Sequence, residues 1–261
     1  MDFLMIGFVA FLASGLTLYS GFGLGTVLLP AFALFFAVPT AVAATGAVHL
    51  LNNLFKGSLV GRDADWTTVR WFGIPAMLGA ILGALLLGAL DKADAGLSWS
   101  AFGRDFSPSG AGLAIGLLMV VFALLELQPW FQRLAAPPRL MPLGGLLTGF
   151  LGGLSGQQGA LRSMFLLKSG LDARHYVATG TQIAILIDLS RLPTYGAAFV
   201  DASAASPRDL ALVAAATVCA WAGAWLGVRY LRKATIGTIR MAVAGLMLLV
   251  GGLLMSGVLG S

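Results

Sequence analysis

Apolar runs of 18 or more residues recur from one end of this 261-residue chain to the other, and they restrict its fold more than any other feature. A run of that length with few charges crosses the hydrocarbon core of a bilayer as a helix. Charged residues make up 10% of the chain, against roughly 25% in a soluble domain. The mean hydropathy is +0.90, so the surface cannot be one that faces water. The implied fold class is an all-α polytopic membrane protein, because only internally bonded helices or closed barrels satisfy their backbone in lipid.

Hydropathy and breakers divide the chain into ten apolar segments, at about residues 3–19, 25–37, 40–60, 67–90, 109–128, 140–154, 159–170, 174–199, 208–231 and 235–259. The N-terminal stretch MDFLMIGFVAFLASG has no basic flank and reads as the first helix rather than a cleaved leader. The first pair of segments and the sixth and seventh are short, several with 17 or fewer residues, at the lower limit for a span. Both short pairs are broken by glycine. Residues 14–30 (SGLTLYSGFGLGTVLLP) carry Gly21, Gly23 and Gly25, and residues 148–164 (TGFLGGLSGQQGALRSM) carry Gly152, Gly153, Gly156 and Gly159. A glycine in a plain helix costs about 1 kcal/mol relative to alanine. Irregular backbone at membrane depth is tolerated only inside protein or beside a cavity. Paired breaks in corresponding places therefore point to a transporter's binding site, and close packing of small residues between helices is the alternative.

The two halves repeat weakly. At an offset of 134, Gly15 matches Gly149, Gly25 matches Gly159, and Ala44-Thr45-Gly46 matches Ala178-Thr179-Gly180. A one-residue slip then sets Asn53 opposite Asp188 and Lys56 opposite Arg191. If each hairpin starts and ends on one side, eleven basic residues from Lys56 to Arg240 share a side and only Lys92, Arg104 and Arg208 occupy the other. That bias puts both termini outside, in the periplasm of a bacterial cytoplasmic membrane. Five segments per unit give the halves opposite orientation. The expected plan is two inverted repeats, each opening with a Gly-broken helical hairpin: residues 1–131, a cytoplasmic linker at 132–139, and residues 140–261. The hairpin tips would meet near the midplane.

The segments SGFGLGTVLLPAFALFFAVPTAVAATGAVHLLNN and GFLGGLSGQQGALRSMFLLKSGLDARHYVATGTQ each combine a Gly-rich turn, a short apolar segment, a brief loop and a long helix opened by Ala-Thr-Gly. In this the chain resembles the TauE/SafE family, the sulfite exporter family of membrane transporters, over essentially its full length. The resemblance implies transport of a small sulfur-containing or organic anion such as sulfite, a sulfonate or sulfoacetate. Two departures stand out: Met164 follows the second turn where Pro30 follows the first, and Gln157-Gln158 replaces a fuller glycine run.

The short helices after each break begin near Gly25 and Gly159, and their N-termini would offer unpaired N–H groups and about half a positive charge each to an anion. Ser20, Gly21, Gly23, Gly25 and Thr26 on the first tip, and Ser155, Gly156, Gln157, Gln158 and Gly159 on the second, form the expected substrate site. Arg162, in the first turn of its short helix, is either an anion ligand or a structural partner of Asp188, the one carboxylate read as deep in a long segment. Thr181, Gln182, Asp188 and Arg191 make a polar stripe on one helix, with Asp188 either a proton carrier or a neutralised partner of Arg191 beside Pro193. His49, Asn52 and Asn53 make the matching stripe on the third segment, His49 being a proton relay or a plain interhelical hydrogen-bonding residue. Lys56 is expected to snorkel to the inner surface. Trp66, Trp71, Trp99 and Trp130 fall at segment ends, as an interfacial belt requires.

The expected partners are therefore a small anionic substrate, protons as coupling ion, and the lipid bilayer. The net charge of +5 sits in scattered loops without a basic run, which argues for membrane orientation and against nucleic acid. Cys219 is the only cysteine, so an internal disulfide and a CxxC metal pair are excluded, and no cofactor is expected. No HExxH or GxSxG is present and there are two histidines, so a membrane-embedded enzyme is disfavoured. An uncoupled anion permease or channel remains the alternative to a coupled transporter.

Overall fold

The structure, a computed structural model, describes residues 2–20, 23–93, 95–101, 103–198, 206–230 and 236–259. Its helices are α1 (Asp2–Ser20), α2 (Leu24–Ala33), α3 (Val38–Val60), α4 (Trp66–Asp91), α5 (Gly110–Leu127), α6 (Pro129–Gln132), α7 (Met141–Ser155), α8 (Gly159–Leu166), α9 (Ala173–Ala198), α10 (Pro207–Tyr230) and α11 (Ile236–Met255). Every apolar segment read from the sequence is a helix here. Helix α2 has 10 residues and α8 has 8, lengths of about 15 and 12 Å, far short of a hydrocarbon core of about 30 Å. Helices α4, α5 and residues Pro207–Leu226 of α10 are long and apolar enough to cross a membrane. The small antiparallel hairpin of β1 (Trp99–Ala101) and β2 (Arg104–Phe106) was not foreseen from the apolar pattern. There Trp99 stacks on Phe106 and donates its indole N–H to the Ser256 carbonyl at 2.8 Å.

Local chemistry sets the helix ends. Asp65 caps α4, accepting from the Thr67 and Thr68 N–H groups at 3.3 and 3.1 Å and from the Thr68 hydroxyl at 2.5 Å. Ser109 caps α5 by accepting from Gly112 N–H at 3.0 Å. Helix α7 stops at Gly156, whose φ of +76° only glycine adopts without cost.

Packing pairs α4 with α7, α1 with α10, α5 with α11, and α3 with α9. Glycine governs the α4–α7 contact: a Cβ on Gly145, Gly149 or Gly153 would be driven into the carbonyl of Phe72, Ala76 or Ala80. Two apolar clusters result, one built on α1, α2, α3, α5, α10 and α11, the other on α4, α8 and α9. Ile187 belongs to the second and Tyr195 to the first, so the stretch of α9 with Asp188 and Arg191 runs between them. Trp66, Trp71, Trp99 and Trp130 are all exposed. Partly buried Cys219 packs where α1 meets α10, facing Gly7.

Candidate functional site

The two glycine turns touch. A Cβ on Gly25 would lie 2.9 Å from the Gly156 carbonyl oxygen, and one on Gly23 would lie 3.5 Å from the Gly159 nitrogen. Gly23 also accepts from Thr26 N–H at 3.0 Å, closing the first turn of α2. Gly21 and the side chain of Ser20 lie outside the described residues.

The second turn departs from expectation in one respect. Gly152 and Gly153 do not break the helix; α7 runs through both to Ser155. They are small because something lies against them: Ala80 of α4 against Gly153, and the Gln158 Cβ at 3.2 Å against Gly152. The packing alternative holds for these two glycines, while Gly156 makes the turn.

A helix end leaves its last carbonyls without partners, and α9 supplies them. Arg191 Nη1 donates to the Gly152 carbonyl at 2.8 Å, and the Tyr195 hydroxyl donates to that of Gly153. A cation at a helix C-terminus also complements the macrodipole. Asp188 completes the arrangement. Its Oδ1 accepts from Arg191 Nε at 2.9 Å and from Gln158 Nε2 at 3.4 Å. Its Oδ2 lies 2.5 Å from His49 Nδ1 on α3. The Asn53 amide donates to the His49 carbonyl at 2.9 Å. Asp188 and Arg191 are both wholly buried. One chain of bonds thus joins the second tip to α9 and α3.

The Ala-Thr-Gly pairs acquire a physical reason, although each lies inside its helix rather than at its start. A Cβ on Gly46 would stand 3.3 Å from Arg191 Cζ, and one on Gly180 would stand 3.6 Å from Arg162 Nε. Each glycine makes room for a guanidinium. Thr179 accepts from Asp65 N–H at 2.9 Å, fixing α9 to the start of α4.

Several expected members of the site are elsewhere. The stripe on α9 splits: Thr181 donates to its own helix at Val177, and the Gln182 amide lies against Gly57 and Gly61, away from the residues around Asp188. Asn52 turns to α1, accepting from the Ser14 hydroxyl at 3.0 Å. Ser155 donates to Leu151 at 2.9 Å, which ties it to α7. Arg162 makes no ion pair with Asp188, whose oxygens are taken by others; its Nη1 is buried without a partner. Lys56, expected at the inner surface, is largely covered by its neighbours, with 9% exposed. Asp188 is not the only buried carboxylate, since Glu126, next to the end of α5, is buried too. Sequence reasoning missed Tyr195, though it stands four residues beyond Arg191 on the same face.

Around the touching tips several buried polar atoms have no hydrogen-bond partner: both ends of the Gln157 amide, Gln158 Oε1 and Thr45 Oγ1. An unmet buried donor or acceptor costs about 1–3 kcal/mol. The two donors among them, Gln157 Nε2 and the Thr45 hydroxyl, together with two helix N-termini, suit a small ligand that offers acceptors and carries negative charge, and the two amide oxygens call for a donor. Among the described residues no group of three or more His, Cys, Asp or Glu is placed to hold a metal.

A search of curated proteins finds no match to the chain. The family model described as sulfite exporter TauE/SafE matches residues 3–254, nearly the whole length. The chain, a helical membrane protein, belongs to the sulfite exporter TauE/SafE family of membrane transporters.

Proposed function

We propose that this protein is a proton-coupled secondary transporter that moves a small sulfur-containing or organic anion across a bacterial cytoplasmic membrane by alternating access around the two glycine tips. The observation that carries the reading is the bond chain at the second tip: Gln158, beside the unpartnered Gln157 amide, is tied through Asp188 to His49. The tip that would receive the anion is thereby linked to the one buried site where an imidazole and a carboxylate share a proton. A proton added to that pair weakens the hold of Asp188 on Gln158, so the position of the tip depends on the protonation state. Coupling requires such a difference between two states.

The inverted-repeat plan supports the same reading. Exchange of the halves turns α1 into α7, α2 into α8, α3 into α9, α4 into α10 and α5 into α11. Under it the α4–α7 contact becomes α10–α1, α4–α9 becomes α10–α3, and α3–α9 and α5–α11 map onto themselves, and each of these pairs packs. Rocking of one half on the other would then open the tips to either side.

Flux into proteoliposomes tests the reading, with sulfite, thiosulfate, taurine, sulfoacetate and sulfate offered with and without a pH gradient. One of these anions accumulates, by about tenfold per pH unit for one coupled proton. Asp188→Asn and His49→Gln each abolish the response to the gradient. The capping role of Arg191 favours a second reading, in which Asp188 only neutralises it and transport is uncoupled. Flux that ignores the gradient in the unmodified protein selects that reading, and no flux of any anion rejects both.

A further inference from the structure

Buried charges beyond the Asp188 network do not balance. Lys56 on α3 is 9% exposed and makes no hydrogen bond or ion pair among the described residues, although an ammonium has three donors. Arg162 on α8 buries Nη1 without a partner. The charged group that acts on Lys56 is Arg162, another cation. Arg162 in turn feels Tyr176, a phenol neutral at physiological pH, and Asp188, whose oxygens are already held by His49, Arg191 and Gln158. Glu126, the other buried carboxylate, is not among the groups that act on either cation. With Asp188 offsetting Arg191, two positive charges remain uncompensated among the described residues.

Both belong to one region. A Cβ on Gly57, next to Lys56, would lie 3.9 Å from Thr181 Cγ2, and one on Gly180 would lie 3.6 Å from Arg162 Nε. Lys56 stands seven residues, two turns, beyond His49, on the face of α3 that meets α9 at Asp188, so the two cations belong to the same stretch of α9, one from α3 and one from α8. A nearly buried ammonium and a half-buried guanidinium without counter-charge are unfavourable together, and membrane proteins keep such groups facing a ligand or a partner.

We propose that Lys56 and Arg162 form a two-cation subsite, one member from each half of the chain, that selects divalent oxyanions over monovalent ones. A divalent anion neutralises both charges together. A monovalent anion of the same shape leaves one cation buried and unpaired. Arg162 offers a planar fork for two oxygens, and Lys56 adds a point charge. The subsite deepens the transporter reading and rests on it.

Sulfate and methanesulfonate share a sulfur–oxygen head and differ in charge, which makes them the test pair. Each is used to compete with labelled sulfite entering proteoliposomes of the full-length protein. The half-inhibiting concentration of sulfate is expected to be about tenfold or more below that of methanesulfonate, since one charge pair in a desolvated site is worth at least that factor. In Lys56→Gln the two values converge to within about twofold, and Lys56→Arg restores the difference. Arg162→Gln shows the same convergence, so the proposal stays testable if one variant fails to assemble. Equal inhibition by the two anions in the unmodified protein overturns it, as does a preference that survives both glutamine substitutions. In those cases sulfite flux persists and the transporter reading stands; absence of sulfite flux, with no other anion carried, removes the reading itself.

Discussion

At the scale of single residues, the structure separates side chains that hold the protein together from those left waiting for a ligand. Asp65 belongs to the first kind. Its carboxyl is held below the ordinary value of 3.8, chiefly by the Thr68 hydroxyl and then by the Thr68 and Thr67 N–H groups, against a smaller opposing effect of burial. A carboxyl with a lowered folded pKa adds stability above its unfolded value and loses it as pH falls through the folded one. Asp65→Ala should therefore cost about 1 kcal/mol at neutral pH, seen as a lower melting temperature in detergent. The gap to the unmodified protein should narrow as pH falls below 3.8. Gln157, Arg162 and Lys56 belong to the second kind, since each buries polar atoms or charge that the chain itself does not satisfy. Asp188 and Arg191 were legible in the sequence as an i, i+3 pair inside an apolar helix. The partner of Asp188 across the fold, His49, was legible only as a lone polar residue 139 positions away, because no local spacing relates the two.

At the scale of elements, glycine has two uses that the sequence does not tell apart. Gly156 turns the chain, as its positive φ requires, whereas Gly145, Gly149 and Gly153 let α7 lie backbone to backbone on α4. Any Cβ on Gly149 meets the Ala76 backbone, which cannot swing aside as a side chain does. Gly149→Val should cost about 3 kcal/mol or more, and Gly252→Ala, with open space around it, should cost nothing. Thermal unfolding of both variants in one detergent checks the contrast. Equal melting temperatures would mean that α4 and α7 do not approach so closely. Gly152 and Gly153 looked like breakers because a cluster of small residues is written the same way whether it ends a helix or packs it. The length of α8, 8 residues, decides its role as a short limb more firmly than any glycine.

At the scale of the whole molecule, transport requires two arrangements of the same packed halves, and the proposed inverted-repeat plan would give those halves a common design. Charge bias predicts both termini on the outer side. A membrane-impermeant reagent should therefore label a tag at either end of the protein in right-side-out vesicles, and neither tag in inverted ones. Termini labelled from opposite sides would reject the odd-segment plan. The sequence by itself determined the solvent and the ten helical segments, because apolar length and scarcity of charge permit no other environment for such a backbone, and its glycine-turn segments carried the resemblance to the family. It also marked the glycine turns as the irregular places. Only the tertiary structure decided that the turns touch, that Gln158 and His49 meet on Asp188, and that no described residue pairs with Lys56 or with Arg162 Nη1. Those relations join residues far apart in the chain, and burial in a common interior, rather than any periodicity along it, sets them.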